Sequence, residues 1–295
     1  MHSFSHAQKI ALGTAQFGLH YGIANADGQV PRTEVSTILG LAQQHGIHAL
    51  DTAIAYGDSE SVLGAFTMSD WHIISKLPAF PDTVGNVENW VDAQVNASLQ
   101  RLKTDRLHAL LLHRPAQLLG PHGQDLYVAL LAQQRCGKVG KIGISIYDPA
   151  ELDQLMPAMH FDVVQAPYNV LDTRLMDSGW MTRLASLNCE LHVRSVFLQG
   201  LLLMPTASLP QQFGKWKPLW TAWHAWLQAT GQTPLQACLQ HVLAAPGIAK
   251  VVLGVDSAAQ LEQILFATEG SATPLPASLV TSDPQLLNPS LWNTL

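Results

Sequence analysis

Eight short apolar runs recur along this chain, and each is followed by a stretch of helical periodicity. The runs are Lys9–Leu12, Ile47–Leu50, His72–Ser75, Leu107–Leu112, Ile142–Ser145, Asp162–Gln165, Glu190–Ser195 and Val251–Leu253. Between them, apolar residues return every three or four positions. Val35, Ile38, Leu39 and Ala42 do so in a helix opened by Pro31 and Thr33, and Val87, Val91, Val95, Leu99 and Leu102 in the clearest amphipathic segment. Ser59 is expected to cap a helix running through Val62, Leu63 and Phe66. Further helices are expected over Leu126–Arg135, Glu151–Met156, Leu175–Leu187, Leu219–Ala229, Pro234–Ala244 and Ala258–Thr268, with Leu198–Pro218 irregular.

Regular alternation of this kind implies parallel strands joined by crossover helices. An open doubly wound sheet fits it too, but a dinucleotide-binding version would carry a G-x-G-x-x-G turn after an early strand, and none occurs. Eight units in one run, with no linker or composition shift, favour closure. The expectation is a single (β/α)8 TIM barrel over 295 residues, the barrel itself spanning about 9–268 and a tail, 270–295, wrapping the surface as a long loop.

Net charge is -6 with scattered Lys and Arg, which excludes electrostatic attraction to nucleic acid or an anionic membrane. The longest apolar runs fall short of the ~20 residues a membrane-spanning helix needs. Cys136, Cys189 and Cys238 lack metal-ligand spacing and read as buried reduced thiols, and the N-terminal MHSFSHAQKI lacks a secretory pattern. Together these point to a cytoplasmic protein. His45 and His48 straddle a helix end and a strand start, so no metal site is expected. Trp216, Trp220 and Trp223 stand at helical spacing and read as core or subunit packing.

In such a barrel, chemistry sits at the C-terminal strand ends. Asp51, Lys76 and His113 end strands two, three and four, and Tyr56 lies in the loop after strand two. Singly, each has a structural explanation: an ion pair, a packed aromatic, a satisfied histidine. Convergent on one rim, they suit carbonyl reduction. A tyrosine with its ordinary pKa near 10 is a poor acid, and a nearby ammonium is expected to lower that value and improve proton donation. A carboxylate keeps the lysine charged, and a histidine can orient a carbonyl oxygen. No side chain donates hydride, so a nicotinamide cofactor is implied.

The segments LGTAQFG (12–18), LDTAIAYGDSE (50–60), ISK (74–76), LLLHRP (110–115), GIS (143–145) and VVQAPYNVLD (163–172) resemble, in order, those of the aldo-keto reductases. The resemblance covers about residues 9–265. It implies Tyr56 as general acid supported by Lys76 and Asp51, with His113 orienting a small-molecule carbonyl substrate. For the cofactor it implies Ser145 and Gln165 at the carboxamide, and Gly13, Thr14 and Asp51 alongside. It also implies the Ser195–Gly200 loop, including Leu198, and Gly254, Asp256 and Gln260 at the adenosine end. Two positions depart from the family: Ile146 replaces a usual asparagine, and Arg194 stands where many members stack an aromatic on the nicotinamide. Basic residues common near Asp256 are missing, yet family habit leaves NADP(H) slightly favoured over NAD(H). Tyr21, His20 and Tyr168 are expected to line the substrate pocket. The leading reading is an NAD(P)H-dependent reductase of aldehydes, ketones or sugar carbonyls (or the reverse oxidation), a monomer or small homo-oligomer. The alternative is a nicotinamide-binding sensor of the same fold with little or no turnover.

Overall fold

The computed structural model describes residues 6–81 and 83–294. The first half of the barrel comprises β1 (Ile10–Gly13), α1 (Ala15–Gly18), α2 (Arg32–Gln44), β2 (Ala49–Asp51), α3 (Ser59–Leu63), β3 (His72–Leu77), α4 (Val87–Leu102), β4 (Leu107–Leu112) and α5 (Gly123–Arg135). The second half comprises β5 (Val139–Ser145), α6 (Ala150–Leu155), β6 (Val163–Pro167), α7 (Arg174–Asp177), α8 (Trp180–Ser186), β7 (Glu190–Arg194), α9 (Lys217–Thr230), α10 (Pro234–Ala244), β8 (Ile248–Gly254) and α11 (Ala258–Ala267). Each strand pairs in parallel with its sequence neighbour, and β1 pairs with β8 through Ala11↔Val252 and Gly13↔Gly254. The sheet therefore closes, and the chain forms the expected (β/α)8 barrel.

Side chains alternate between the two faces of each strand. Ala11, Ala49, Ile74, Ala109, Leu111 and Val163 form a cluster inside the barrel, with Val252 against it. The intervening positions, such as Ile10, Leu12, Leu50, Ile73, Leu110 and Val164, pack outward against the helices in the larger core. Ile74, Leu111 and Val163, all buried, fill the space left by the alanines of three strands, so the bore is a packed layer and not a channel.

Local chemistry sets the helix limits. Asn86 caps α4 by accepting from the Asn89 N–H at 2.8 Å, and Lys103 ends it in a left-handed turn. Thr233 and Gln236 form a reciprocal capping box on α10, with Pro234 at its first position.

Several boundaries differ from expectation. Gly179, at φ 76°, divides the expected Leu175–Leu187 helix into α7 and α8. Asp58 precedes α3, whereas Ser59 turns its hydroxyl inward. Cys189 and Cys238 are buried free thiols, but Cys136 is exposed at the end of α5. The tail is more structured than a loop. It carries α12 (Pro284–Leu287), and Leu279, Leu286, Leu287 and Trp292 are buried. The reason lies in the 3-10 turn Gln211–Trp216 that leads into α9: Trp216 donates to Asp283 at 3.0 Å, and the Phe213 ring meets Trp292 edge-on. Trp220 and Trp223 are buried in the core, donating to Phe213 O and Leu202 O.

Candidate active site

Strand parity selects the polar side chains that reach the rim. In β2, Ala49 faces the bore, so Asp51 does too; in β3, Ile74 carries Lys76; in β4, Ala109 and Leu111 carry His113, the residue after the strand. The same rule brings Gln165 above Val163 and Gly254 above Val252. Lys76 and Asp51 are both buried and form an ion pair at 2.5 Å, with Lys76 also donating to Thr52 O at 2.9 Å. The second Asp51 oxygen accepts from Gln165 Nε2 at 2.7 Å, and Ser145 donates to Gln165 Oε1 at 3.3 Å. Asp51 thus ties three strand ends together.

Tyr56 is placed by backbone contact between two loops. A Cβ on Gly18 would lie 1.9 Å from Tyr56 O and 2.3 Å from Ser59 N, so only glycine lets α1 rest on the turn carrying the tyrosine. Gly57 follows at φ 53°, where a Cβ would come 2.4 Å from Gly18 O. The buried Ser59 hydroxyl lies 2.8 Å from Thr14 O and 3.1 Å from Thr52 Oγ1, and Thr14 N donates to Asp51 O at 2.9 Å. These bonds clamp the ends of β1 and β2 beneath the turn. Glu60, next in sequence, is a structural anchor: buried, it accepts from Ser75 at 2.7 Å, Ser98 at 2.6 Å and Arg101 at 2.8 Å.

The electrostatics depart from expectation at the tyrosine. The Lys76 ammonium lies 5.1 Å from the Tyr56 ring centroid and spends its hydrogen bonds elsewhere. Burial and then the Asp51 carboxylate push the Tyr56 hydroxyl above its ordinary pKa, with the Arg194 guanidinium opposing them. Burial lowers the Lys76 pKa, and Asp51 opposes that. His113, whose ring stands edge-on to Tyr56 at 5.8 Å between centroids, is pushed down to about 4, by burial first and then by Lys76 and Arg194. At neutral pH the pair is a protonated phenol beside a neutral imidazole.

Tyr56 and His113 open into a cavity of about 490 Å³, within the ~300–1,000 Å³ usual for small-molecule sites. Gly13, Thr14, Tyr21, Asp51 and Gln165 line it from the first strands and β6. Arg194, Ser195 and Gly200 close one side, and Gly254, Asp256 and Gln260 the far end. Lys76 and Ser145 reach it only through Asp51 and Gln165.

Tyr168 does not line the cavity. It follows the inward positions Gln165 and Pro167 by odd parity, so it faces outward, buried and stacked on His241 at 5.1 Å. Leu198 likewise has its side chain in the outer core, and His20 is not on the wall. Tyr147, Asn25, Gln16 and Gln199 are lining residues that sequence reasoning did not single out. For Tyr147 the signal was there: two residues beyond Ser145, it keeps the inward parity. Asn25, Gln16 and Gln199 come from loops without periodicity.

Arg194 lies flat on this wall. It donates to Ile146 O at 2.9 Å and Ser195 Oγ at 3.1 Å, and its guanidinium sits 4.4 Å from the Tyr147 ring centroid. Beyond it the backbone is left-handed at Ser195 (φ 61°), Leu198 (φ 48°), Gln199 (φ 54°) and Gly200 (φ 91°). Three non-glycine residues so held cost on the order of 1 kcal/mol each or more, a feature that concentrates at ligand-binding loops.

A family model described as "Aldo/keto reductase family" matches residues 9–277. Among solved structures, an aldo-keto reductase from Bacillus halodurans in its holo form superposes with a TM-score of 0.73 at 20% identity, covering 93% of this chain and 94% of that one. A candidate aldo-keto reductase from Pseudomonas aeruginosa does so with a TM-score of 0.65 at 22% identity, covering 88% and 89%. A search of curated proteins found no match. At such identities the structural likenesses speak for the fold, and it is the match over residues 9–277 that assigns the chain to the aldo-keto reductases, a family of oxidoreductases.

Proposed function

We propose that the protein reduces the carbonyl group of a small aldehyde, ketone or sugar, with Tyr56 as proton donor and a nicotinamide dinucleotide as cofactor. The observation that carries this is the meeting of Tyr56 and His113 in one cavity above the buried Lys76–Asp51 pair. A reduced nicotinamide, when bound, supplies the hydride that no side chain can. The neutral His113 imidazole offers one N–H to the carbonyl oxygen and fixes its position. Tyr56 transfers its hydroxyl proton to that oxygen as charge develops there. Asp51 and Lys76 neutralise each other, so the site holds a fixed dipole beneath Tyr56 and not an isolated buried charge.

The residues present fit the cofactor. Gln165 would offer its amide to a carboxamide, with the Ser145 hydroxyl bracing it from behind at 3.3 Å. Gly13 and Gly254 lie side by side, and a Cβ on Gly13 would come 3.3 Å from Gly254 N, so the floor stays bare backbone. The Ser195–Gly200 backbone and Thr14 would hold the diphosphate end of the nicotinamide half, and Gly254 and Gln260 the adenosine. Family habit alone inclines this reading toward NADP(H). We read the protein as a cytoplasmic monomer or small homo-oligomer without nucleic-acid or membrane partners; supporting this, net charge is -6, and no helix among the described residues is long and apolar enough to cross a membrane.

Mixing the purified protein with NADH or NADPH and a carbonyl panel, and following loss of reduced-nicotinamide absorbance, tests the reading. Turnover is expected. Tryptophan quenching by cofactor without turnover on any carbonyl would instead favour a sensor, and absence of binding would sink both.

A further inference from the structure

Away from Tyr56, the cavity ends on the turn between β8 and α11, and the charge there is one-sided. Asp256 lines this wall and is held on both oxygens: Oδ1 accepts from Asn25 Nδ2 at 3.2 Å, and Oδ2 from Gln260 Nε2 at 3.3 Å. The Asp256 N–H returns a bond to Gln260 Oε1 at 2.8 Å. Each carboxylate oxygen has a second lone pair, so two acceptor positions stay open. Asp27 is close enough to reinforce burial in raising the Asp256 pKa, with His20 opposing.

A helix N-terminus would normally offset such acidity by presenting bare N–H groups to a phosphate. At α11 two of these donors are taken by side chains. The Ala258 N–H donates to Glu34 Oε1 at 2.6 Å, and the Gln260 N–H to Ser257 Oγ at 3.2 Å. A carboxylate from α2 therefore occupies the place a phosphate would seek. Among the described residues, Arg194 is the one Lys or Arg on the cavity wall, and it lies at the Tyr56 end, bonded to Ile146 O. Arg32, which opens α2, neither lines the cavity nor acts on Asp256.

We propose that the chain selects NAD(H) over NADP(H), with Asp256, braced by Asn25 and Gln260, as the specificity-determining residue. Its two open acceptor positions match the vicinal hydroxyls of an unmodified adenosine ribose. A 2′-phosphate there would bring nearly two negative charges up to Asp256, with the Glu34 carboxylate on the Ala258 N–H and Asp27 close by, and Arg194 at the far end is the one Lys or Arg on the wall among the described residues. This rests on the reading that the cavity takes a nicotinamide dinucleotide, and it reverses the preference that family habit suggests.

The test is direct binding to the full chain, by quenching of tryptophan fluorescence on titration with NADH and, separately, NADPH. NADH is expected to bind at least about tenfold more tightly. Asp256→Ser should shrink that ratio several-fold by strengthening NADPH, and Asp256→Asn, which removes the charge at nearly constant shape, should move it the same way. Equal or tighter NADPH binding by the parent protein overturns the inference while leaving the reductase reading intact. An unchanged ratio in both variants overturns the role of Asp256, and should one variant fail to fold, the parent ratio and the other variant decide. Binding of neither nucleotide removes the premise and overturns the reductase reading with it.

Discussion

Lys76 donates to Asp51 at 2.5 Å and only faces the ring of Tyr56, 5.1 Å from its centroid. The ammonium is thus spent on the carboxylate, and the tyrosine hydroxyl feels burial and Asp51 more than it feels lysine. A phenol whose pKa is raised stays protonated through the neutral range, so the proton needed for reduction is always in place, although held more tightly than in a phenol of ordinary pKa, and little phenolate forms to act as a base. Carbonyl reduction should therefore hold its rate on the alkaline side at least to pH 9, whereas alcohol oxidation should climb with pH across the same range. Rate profiles in both directions check this; a fall in reduction centred near neutrality would contradict it.

Removing the Tyr56 hydroxyl deletes the proton donor and little else, because its position is set by backbone contacts at Gly18 and Gly57. Tyr56→Phe should lower kcat by about 10²–10⁴-fold, the usual contribution of general acid catalysis. Cofactor Kd, read by fluorescence, should stay within about twofold of the parent. Retention of most turnover would sink the assignment.

The buried ion pair predicts an asymmetry in stability. Lys76→Met leaves the Asp51 carboxylate buried with only the Gln165 amide donating to its side chain. Removing one partner of a buried pair costs about 3–5 kcal/mol. Replacing both, as Asp51→Asn with Lys76→Met, should cost clearly less than the sum of the single changes. Urea unfolding of the four proteins gives the coupling, and additive losses would contradict the pairing.

The barrel was legible because its eight apolar runs and intervening periodicity follow directly from burial on two faces of a sheet. Asp51, Lys76 and His113 were legible too, since a strand end and its parity are sequence properties. What escaped was set by contacts distant in the chain. The order in the tail depends on Phe213 and Trp216, ahead of α9 and about 70 residues earlier in the sequence. The upward shift of Tyr56 follows from its burial and then from the nearby Asp51 carboxylate, neither of which a strand-end pattern reveals. Tyr168 departs from expectation because strand parity beyond Gln165 turns it outward onto His241. The acidity at the β8–α11 turn gathers Asp27 and Glu34 near Asp256, which Asn25 braces, and no local pattern joins these residues to it.

Gly18 gives a sharper test of how the tyrosine is positioned. A methyl group at this site would collide with Tyr56 O and Ser59 N, both backbone atoms that cannot rotate away. Gly18→Ala must therefore push α1 and the Tyr56 turn apart. Folding should survive, because the core strands are untouched, but kcat should drop by about 10²-fold, as for a misplacement near 1 Å. Thermal unfolding paired with kinetics checks this, and a variant with full kcat would show that the turn does not depend on Gly18.

Three histidines predict how stability responds to acid. Burial holds His108, His113 and His241 down to about 4 each, aided at His108 by Lys141 and His72 and at His113 by Lys76 and Arg194. In the unfolded chain each returns to about 6.5. Between these values the unfolded state binds more protons than the folded one, so stability rises with pH there. The contribution is complete above about pH 6.5, is lost progressively on acidification, and is gone by about pH 4. Urea midpoints should fall through that window while the slope of the transition stays constant. His241→Leu should flatten the fall: its Nε2 is buried without a hydrogen-bond partner, so the substitution removes a titrating group without orphaning another. A midpoint independent of pH between 4 and 6.5 would show that these histidines titrate as they do in the unfolded chain.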